Sequence, residues 1–137
     1  MKSNFIFLLT TFALVALVSF IFNSCTKQYI VSLSYGQINV PKVVMAGQPI
    51  VCQVQVVYVA TPSPLNFNGF QTKTIANDHY AITASAEWTS HGESSEPALL
   101  LIMNTTYVVD STHRGQYILD FVVDNKVFQS DTVLVVR

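Results

Sequence analysis

The sequence predicts a single all-β sandwich of about seven or eight strands after an N-terminal apolar segment. Segments in which polar and apolar residues alternate recur along the chain, and clusters of Gly, Pro, Asn, Asp and Ser separate them. No helical periodicity follows the first 24 residues. Short strands at this spacing are typical of a two-layer sandwich, and the chain is long enough for one domain with one core.

Residues 50–59 show the clearest alternation, with Gln53 and Gln55 between apolar neighbours. We expect a strand there with one buried face. Residues 117–123 and 126–136 also alternate, and Asp124 with Asn125 between them predicts a hairpin turn. The other strands are expected at 29–35, 37–44, 70–76, 80–89 and 99–109, with the first two forming an edge that is broken at Gly36 and Pro41.

The first 24 residues have the pattern of an export signal. Lys2 precedes the uncharged, apolar stretch 5–22, which predicts a helix that enters a bilayer. Its length suits either a long signal segment or a retained membrane anchor, so length alone leaves both interpretations open. In both cases the following domain leaves the cytoplasm.

Residues 22–25 (Phe, Asn, Ser, Cys) resemble the lipobox of bacterial lipoproteins. In that family the cysteine thiol receives a diacylglycerol and becomes the new N-terminus after cleavage. The resemblance implies a signal segment at 1–24, lipid attachment at Cys25, a short tether over 25–28 and the sandwich at 29–137. The alternatives are an uncleaved anchor and a secretory signal with an incidental cysteine.

The tether after Cys25 is short. Residues 26–28 reach about 10 Å when extended, which would keep the domain close to the membrane. Surface-exported lipoproteins of some Gram-negative bacteria carry acidic residues directly after the cysteine, and 26–28 contain none. By that resemblance we expect a lipid anchor in the outer membrane, with the domain facing the periplasm.

Two local patterns resemble immunoglobulin-like domains. Val40, Pro41 and Gly47 before the alternating strand resemble their passage from strand A to strand B. Residues 115–119 resemble their entry to strand F, with Tyr117 in the position of the tyrosine corner. The resemblance implies an immunoglobulin-like sandwich in which Cys52 and Leu119 take the positions of the two family cysteines, so that no disulfide forms. We expect Cys52 to be a buried, small apolar residue and not a nucleophile.

Several side chains are candidates for binding. Trp88 could form a platform for sugar stacking with Tyr80, Tyr107 or Phe70, against the simpler interpretation that these are core or rim aromatics. His91, Glu93 and Glu96 could converge on a metal, but in a Ser- and Gly-rich segment a solvated loop is the better interpretation, so no metal site is predicted. His79 and His113 are expected to be exposed loop histidines.

The low content of charged residues argues against binding of nucleic acid. Charged residues make up 11% of the chain, and from Cys25 onward six basic residues stand against eight acidic ones, which gives no footprint for nucleic acid. No catalytic motif occurs, so neither an enzyme nor a cofactor is predicted. We expect a membrane-tethered, non-enzymatic interaction or scaffolding lipoprotein of the bacterial cell envelope, with an envelope protein as partner; the alternative is a glycan-binding accessory lipoprotein. The outward residues Val51, Val57, Val59, Ile118 and Val122 predict an outer face that is short of charge. Such a face either reflects only the preference of valine for strands or is covered by a partner.

Overall fold

The computed structural model describes residues 27–60, 65–90 and 99–137. The leader, Cys25 and the segment with His91, Glu93 and Glu96 lie outside the described residues, so the predictions for them stay predictions. No helix within the described ranges has the length and hydropathy that crossing a membrane requires. The strands are β1 (Lys27–Ser32), β2 (Ser34–Asn39), β3 (Val43–Met45), β4 (Ile50–Ala60), β5 (Leu65–Ala76), β6 (His79–Ser90), β7 (Leu99–Val109), β8 (Gly115–Val123) and β9 (Lys126–Val136).

These strands form two sheets that fit a sandwich, which confirms the all-β prediction. In the first sheet, β5 runs antiparallel along one edge of β6, while β8 and β1 share the other edge. β9 continues this sheet beyond β8, and the short β3 pairs in parallel with β9. The second sheet has three antiparallel strands in the order β2-β4-β7.

The core lies between the two sheets, where alternate residues of the strands point inward. Alternation predicts the inner faces of β4 and β8 correctly. Burying these side chains removes apolar area from water, which is the main favourable contribution to folding. The innermost residues are Ile50, Cys52, Val54 and Val56 of β4, Ile82, Ala84 and Ala86 of β6, Tyr117, Leu119 and Phe121 of β8, and Val133 and Val135 of β9.

The chain crosses from the first sheet to the second at Leu33, between β1 and β2. Leu33 is buried, and its backbone N–H donates to the Ala84 carbonyl at 2.9 Å. The prediction of a strand break at Gly36 is therefore wrong, because pairing with β6 fixes the crossing three residues earlier. Gly36 instead falls at a register shift inside β2, whereas the predicted break at Pro41 is confirmed.

Residues with positive φ shape one hairpin turn and one bulge inside a strand. Asp124 and Asn125 have φ angles of 48° and 62°, and positive φ at both central residues is the type I′ turn that joins antiparallel strands. The predicted hairpin is thus confirmed. β5 begins at Leu65, earlier than the predicted residue 70, because Gly69, with φ of 89°, forms a bulge within the strand.

Tyr117 makes a backbone contact of the kind that the resemblance to a tyrosine corner implies. Its hydroxyl donates to the His113 carbonyl at 3.2 Å and accepts from the His113 N–H at 3.3 Å. This bond from a tyrosine to the backbone a few residues upstream is the one that defines a tyrosine corner. The pairing of β6 with β8 is parallel, however, whereas the sheets of immunoglobulin domains are antiparallel.

Candidate binding groove and uncharged face

Trp88 lies at one end of the first sheet, on its inner face. Along β6 it follows Ala84 and Ala86 in the inward row, and it pairs in register with Tyr29 of β1 and Leu65 of β5. Its ring centroid lies 5.6 Å from that of Tyr29. Trp88 is only half-buried, because the second sheet does not fully cover this end.

Tyr80 and Tyr107 do not join Trp88 in one platform. Tyr80 lies eight residues away near the other end of β6, about 26 Å along an extended strand, and stacks on Tyr117 with ring centroids 6.4 Å apart. Tyr107 is a core residue, 8% exposed, whose hydroxyl lies 2.8 Å from that of Thr72. Burial raises the pKa of Tyr107 more than this hydrogen bond lowers it.

A groove opens beside Trp88 because β2 is shorter than its neighbour. β2 pairs with β4 only up to the pair Ser34 and Val57, so residues 58–60 of β4 extend past it, while the chain before Leu33 belongs to the other sheet. The gap between the sheets therefore stays open on this side, with a volume of about 520 Å³. Its lining residues are Val31, Ser32, Leu33, Ser34, Val57, Tyr58, Val59, Leu65, Trp88 and Leu100.

The groove is apolar. None of its lining residues is charged, and the polar side chains among them are the hydroxyls of Ser32, Ser34 and Tyr58 and the indole N–H of Trp88. That N–H is buried and has no hydrogen-bond partner among the described residues. The groove thus offers a ligand hydrocarbon contacts and few polar groups.

Exposed aliphatic and aromatic side chains surround the groove. Ile30 is 71% exposed and Leu100 is 65% exposed, although burial of such side chains is normally favourable. They lie where β1 and β7 begin and where β4 ends, at one end of the sandwich. We call this set the apolar end: Tyr29, Ile30, Val59, Leu99, Leu100 and Leu101.

The second sheet carries no charge at all. None of the residues of β2, β4 and β7 is Asp, Glu, Lys or Arg. As predicted, Val51, Val57 and Val59 lie on its outer face, where they pair with Val108, Ile102 and Leu100 of β7. We call this outer surface the uncharged face. The middle of the uncharged face has a hollow of about 220 Å³, lined by Gln37, Asn39, Gln53, Val54, Gln55, Asn104 and Thr105.

The outer side of the first sheet, unlike that of the second, carries a charged residue. Ile118 and Val122 are half-buried on its outer side as predicted, but Asp120 lies between them. Its carboxylate is 2.6 Å from His79 Nε2 and accepts a hydrogen bond from the Ser130 hydroxyl at 2.5 Å. Burial raises the pKa of Asp120, but the hydrogen bonds with Ser130 and His79 outweigh burial and hold that pKa below its ordinary value of 3.8. The surface short of charge is therefore limited to the second sheet.

The histidines and the cysteine give no catalytic arrangement among the described residues. The prediction that His79 is an exposed loop residue is wrong, because His79 begins β6 and pairs with Asp120. His113 is exposed, as predicted, and lies 3.3 Å from Asp78. The Asp120 carboxylate lies between His79 and Ser130, so the imidazole does not contact the Ser130 hydroxyl as it would in a triad of Ser, His and acid. Burial raises the pKa of the Cys52 thiol to about 12, which leaves it unreactive at neutral pH. Within the described ranges no three His, Cys, Asp or Glu side chains come together as a metal site.

Sequence reasoning identified Trp88 but missed the groove beside it. Val31, Val57 and Leu65 lie on three different strands, and no local pattern shows that they meet. The one feature of the sequence that could have indicated the groove is the length of β4, whose alternation is longer than that of β2, its partner strand.

No protein-family model, no curated protein and no solved structure matches this chain.

Proposed function

We propose that this chain is a membrane-tethered, non-enzymatic interaction module of the bacterial cell envelope. The observation that carries the proposal is the uncharged face, a whole three-stranded sheet without an ionisable Asp, Glu, Lys or Arg. Soluble domains normally place charged residues on the outer face of a sheet, and an extended surface without them marks a contact with a partner. The proposed partner is another envelope protein.

The outer edge of β7, which pairs with no strand among the described residues, supports this proposal. Sheet edges are normally protected against pairing with other chains by charges, prolines, bulges or shortness. β7 has eleven residues without charge or proline, and its register with β4 is unbroken. The other described edge strands have such protection: β1 has only six residues and β3 three, and β2 and β5 are bulged. A strand of the partner added to β7 would extend the uncharged sheet.

The position of the N-terminus supports the tether. β1 begins at Lys27, at the apolar end, and Cys25 is two residues earlier, a reach of about 7 Å. A lipid on Cys25 would bring the apolar end against the membrane, where its exposed side chains leave water. The outer membrane and the periplasmic orientation follow from the resemblance to lipoproteins alone.

An immunoglobulin-like class for the domain is part of the same proposal. The hydrogen bonds between Tyr117 and His113 and the burial of both Cys52 and Leu119 support it. The parallel pairing of β6 with β8 makes the domain a variant of that class, in which the strand beside β8 runs in the opposite direction.

Affinity purification with two matched variants tests the interaction. Ile102 on the uncharged face and Val127 on the first sheet are 58% and 57% exposed, so a lysine at either position is tolerated by the fold. The tagged full chain and Val127→Lys should recover the same envelope protein in stoichiometric amount from detergent-solubilised membranes, and Ile102→Lys should lose it. Recovery of every variant alone, as a monomer, or equal recovery of the partner by Ile102→Lys, would refute the proposal.

The second candidate is glycan binding, and the hollow at the centre of the uncharged face favours it. The amides of Gln37, Asn39, Gln53, Gln55 and Asn104 line it, and an amide both donates and accepts, as recognition of sugar hydroxyls requires. Calorimetric titration of the full chain with cell-wall polysaccharides tests this candidate. Saturable heat that is lost in Asn104→Ala supports it, and no heat in either chain rules it out for those sugars.

A further inference from the structure

We propose that the groove beside Trp88 binds a fatty acyl chain of a membrane lipid, and that this lipid is separate from the anchor on Cys25. The groove lies between the two sheets, with Leu65 and Trp88 of the first sheet on one side and Tyr58 of the second sheet on the other. Its volume of about 520 Å³ lies in the range of small-molecule sites. The inference rests on the proposed function in one respect only, because the membrane position of the apolar end supplies the lipid.

The chemistry of the lining favours an alkyl chain over a peptide or a sugar. A peptide segment in the groove would bring an N–H and a C=O with every residue, and a sugar would bring hydroxyls. Among its side chains the lining offers only the hydroxyls of Ser32, Ser34 and Tyr58 in return, since the indole N–H of Trp88 is itself buried, so most of those groups would lose water without gaining a partner. An alkyl chain carries no such groups, and its burial against Val31, Leu65 and the ring of Trp88 is favourable throughout.

The surroundings of the groove fit a membrane source. Tyr29 and Trp88 form an aromatic pair, with ring centroids 5.6 Å apart, and these two residue types are enriched where proteins meet the headgroup region of a bilayer. Ile30 of β1 and Leu100 of β7 are the most exposed large apolar side chains among the described residues. A lipid in the adjoining bilayer therefore reaches the groove through an apolar surface.

The anchor itself is not the occupant. Each methylene group that the anchor withdraws from the bilayer weakens the attachment of the whole chain. A separate lipid can place one acyl chain in the groove while the anchor stays fully inserted. The groove then adds a second, reversible contact with the membrane, which fixes the orientation of the apolar end.

Native mass spectrometry of the full-length protein, released from phosphatidylcholine vesicles, tests this inference. We expect one phosphatidylcholine retained per chain without a covalent bond. Leu65→Gln, which puts an amide into the groove, should lose at least nine tenths of the retained lipid. Ile75→Gln, at the far end of the same strand, should retain it. A bare chain without retained lipid, or equal retention by Leu65→Gln, would overturn the inference.

Two further arms keep the result interpretable. The chain has a single tryptophan, so vesicles with bromine on the acyl chains should quench Trp88 emission at least twofold, and this measurement on the unsubstituted protein does not depend on whether Leu65→Gln folds. Absence of quenching counts against the groove. Cys25→Ser cannot be acylated at that position and should still retain the lipid. If Cys25 proves unmodified, the proposed tether fails while lipid retention still decides the groove. If Cys25→Ser loses the phosphatidylcholine, retention depends on the anchor and not on the groove alone, and the inference is wrong.

Discussion

Removing the hydroxyl of Tyr35 takes away a direct link between the two sheets. Tyr35 belongs to the second sheet and is 4% exposed, and its hydroxyl contacts two backbone groups of β6 in the first sheet, the Ile82 carbonyl and the Ala84 N–H, each at 2.9 Å. In Tyr35→Phe both backbone groups stay buried without this partner. A buried polar group that loses its partner costs about 1–3 kcal/mol, so two such groups predict a loss of about 2–6 kcal/mol in the free energy of unfolding.

Urea unfolding of the full chain in detergent micelles, followed by Trp88 fluorescence, measures this loss. Tyr117→Phe provides the comparison, because its hydroxyl makes longer bonds of 3.2 and 3.3 Å to the less buried His113. We expect Tyr117→Phe to lose about 1 kcal/mol, less than half the effect at Tyr35. Equal midpoints for Tyr35→Phe and the unsubstituted chain would refute the idea that this hydroxyl holds the sheets together.

Two further predictions concern ionisable groups. Because the pKa of Asp120 is lower in the folded chain than its ordinary value of 3.8, its contribution to stability is present above that pH and is lost as the pH falls below it. Asp120→Asn should therefore lower the free energy of unfolding at pH 7 by about 1–3 kcal/mol and flatten its dependence on pH below about 4; an unchanged acid profile would contradict the pairing with His79 and Ser130. Since burial raises the pKa of Cys52 to about 12, the native thiol should resist iodoacetamide at pH 8 and react on unfolding in urea, whereas rapid alkylation of the folded chain would show that it is accessible.

Much of the fold could be predicted from local patterns. The inner faces of β4 and β8 follow from alternation, because a half-buried strand needs apolar side chains at every second position. The turn at Asp124 and Asn125 follows from residue types that tolerate positive φ. The contact of Tyr117 with His113 followed from a resemblance, and the bond spans only four residues.

Features that depend on distant parts of the chain could not be predicted. The crossing at Leu33 is fixed by a bond to Ala84, 51 positions later, and nothing near Leu33 in the sequence indicates it. The link between His79 and Asp120 requires the parallel pairing of β6 with β8, which is a property of the topology. The groove beside Trp88 likewise exists only because β2 and β4 differ in length.

The two sheets divide the roles that we propose for the domain. The first sheet carries the hydrogen bond of His79 with Asp120 and, near β3, the ion pair of Lys42 with Asp131 at 2.7 Å. The second sheet presents the uncharged face, and the apolar end spans both sheets where β1 begins. A domain held by its N-terminus would thus point the apolar end at the membrane and leave the side of the second sheet free for a partner.

The mass of the intact protein, isolated from its native membrane, tests the tether most directly. The account predicts a chain of residues 25–137 that carries a diacylglycerol on the Cys25 thiol. A mass equal to the unmodified chain 1–137, or to a cleaved chain without lipid, would contradict it.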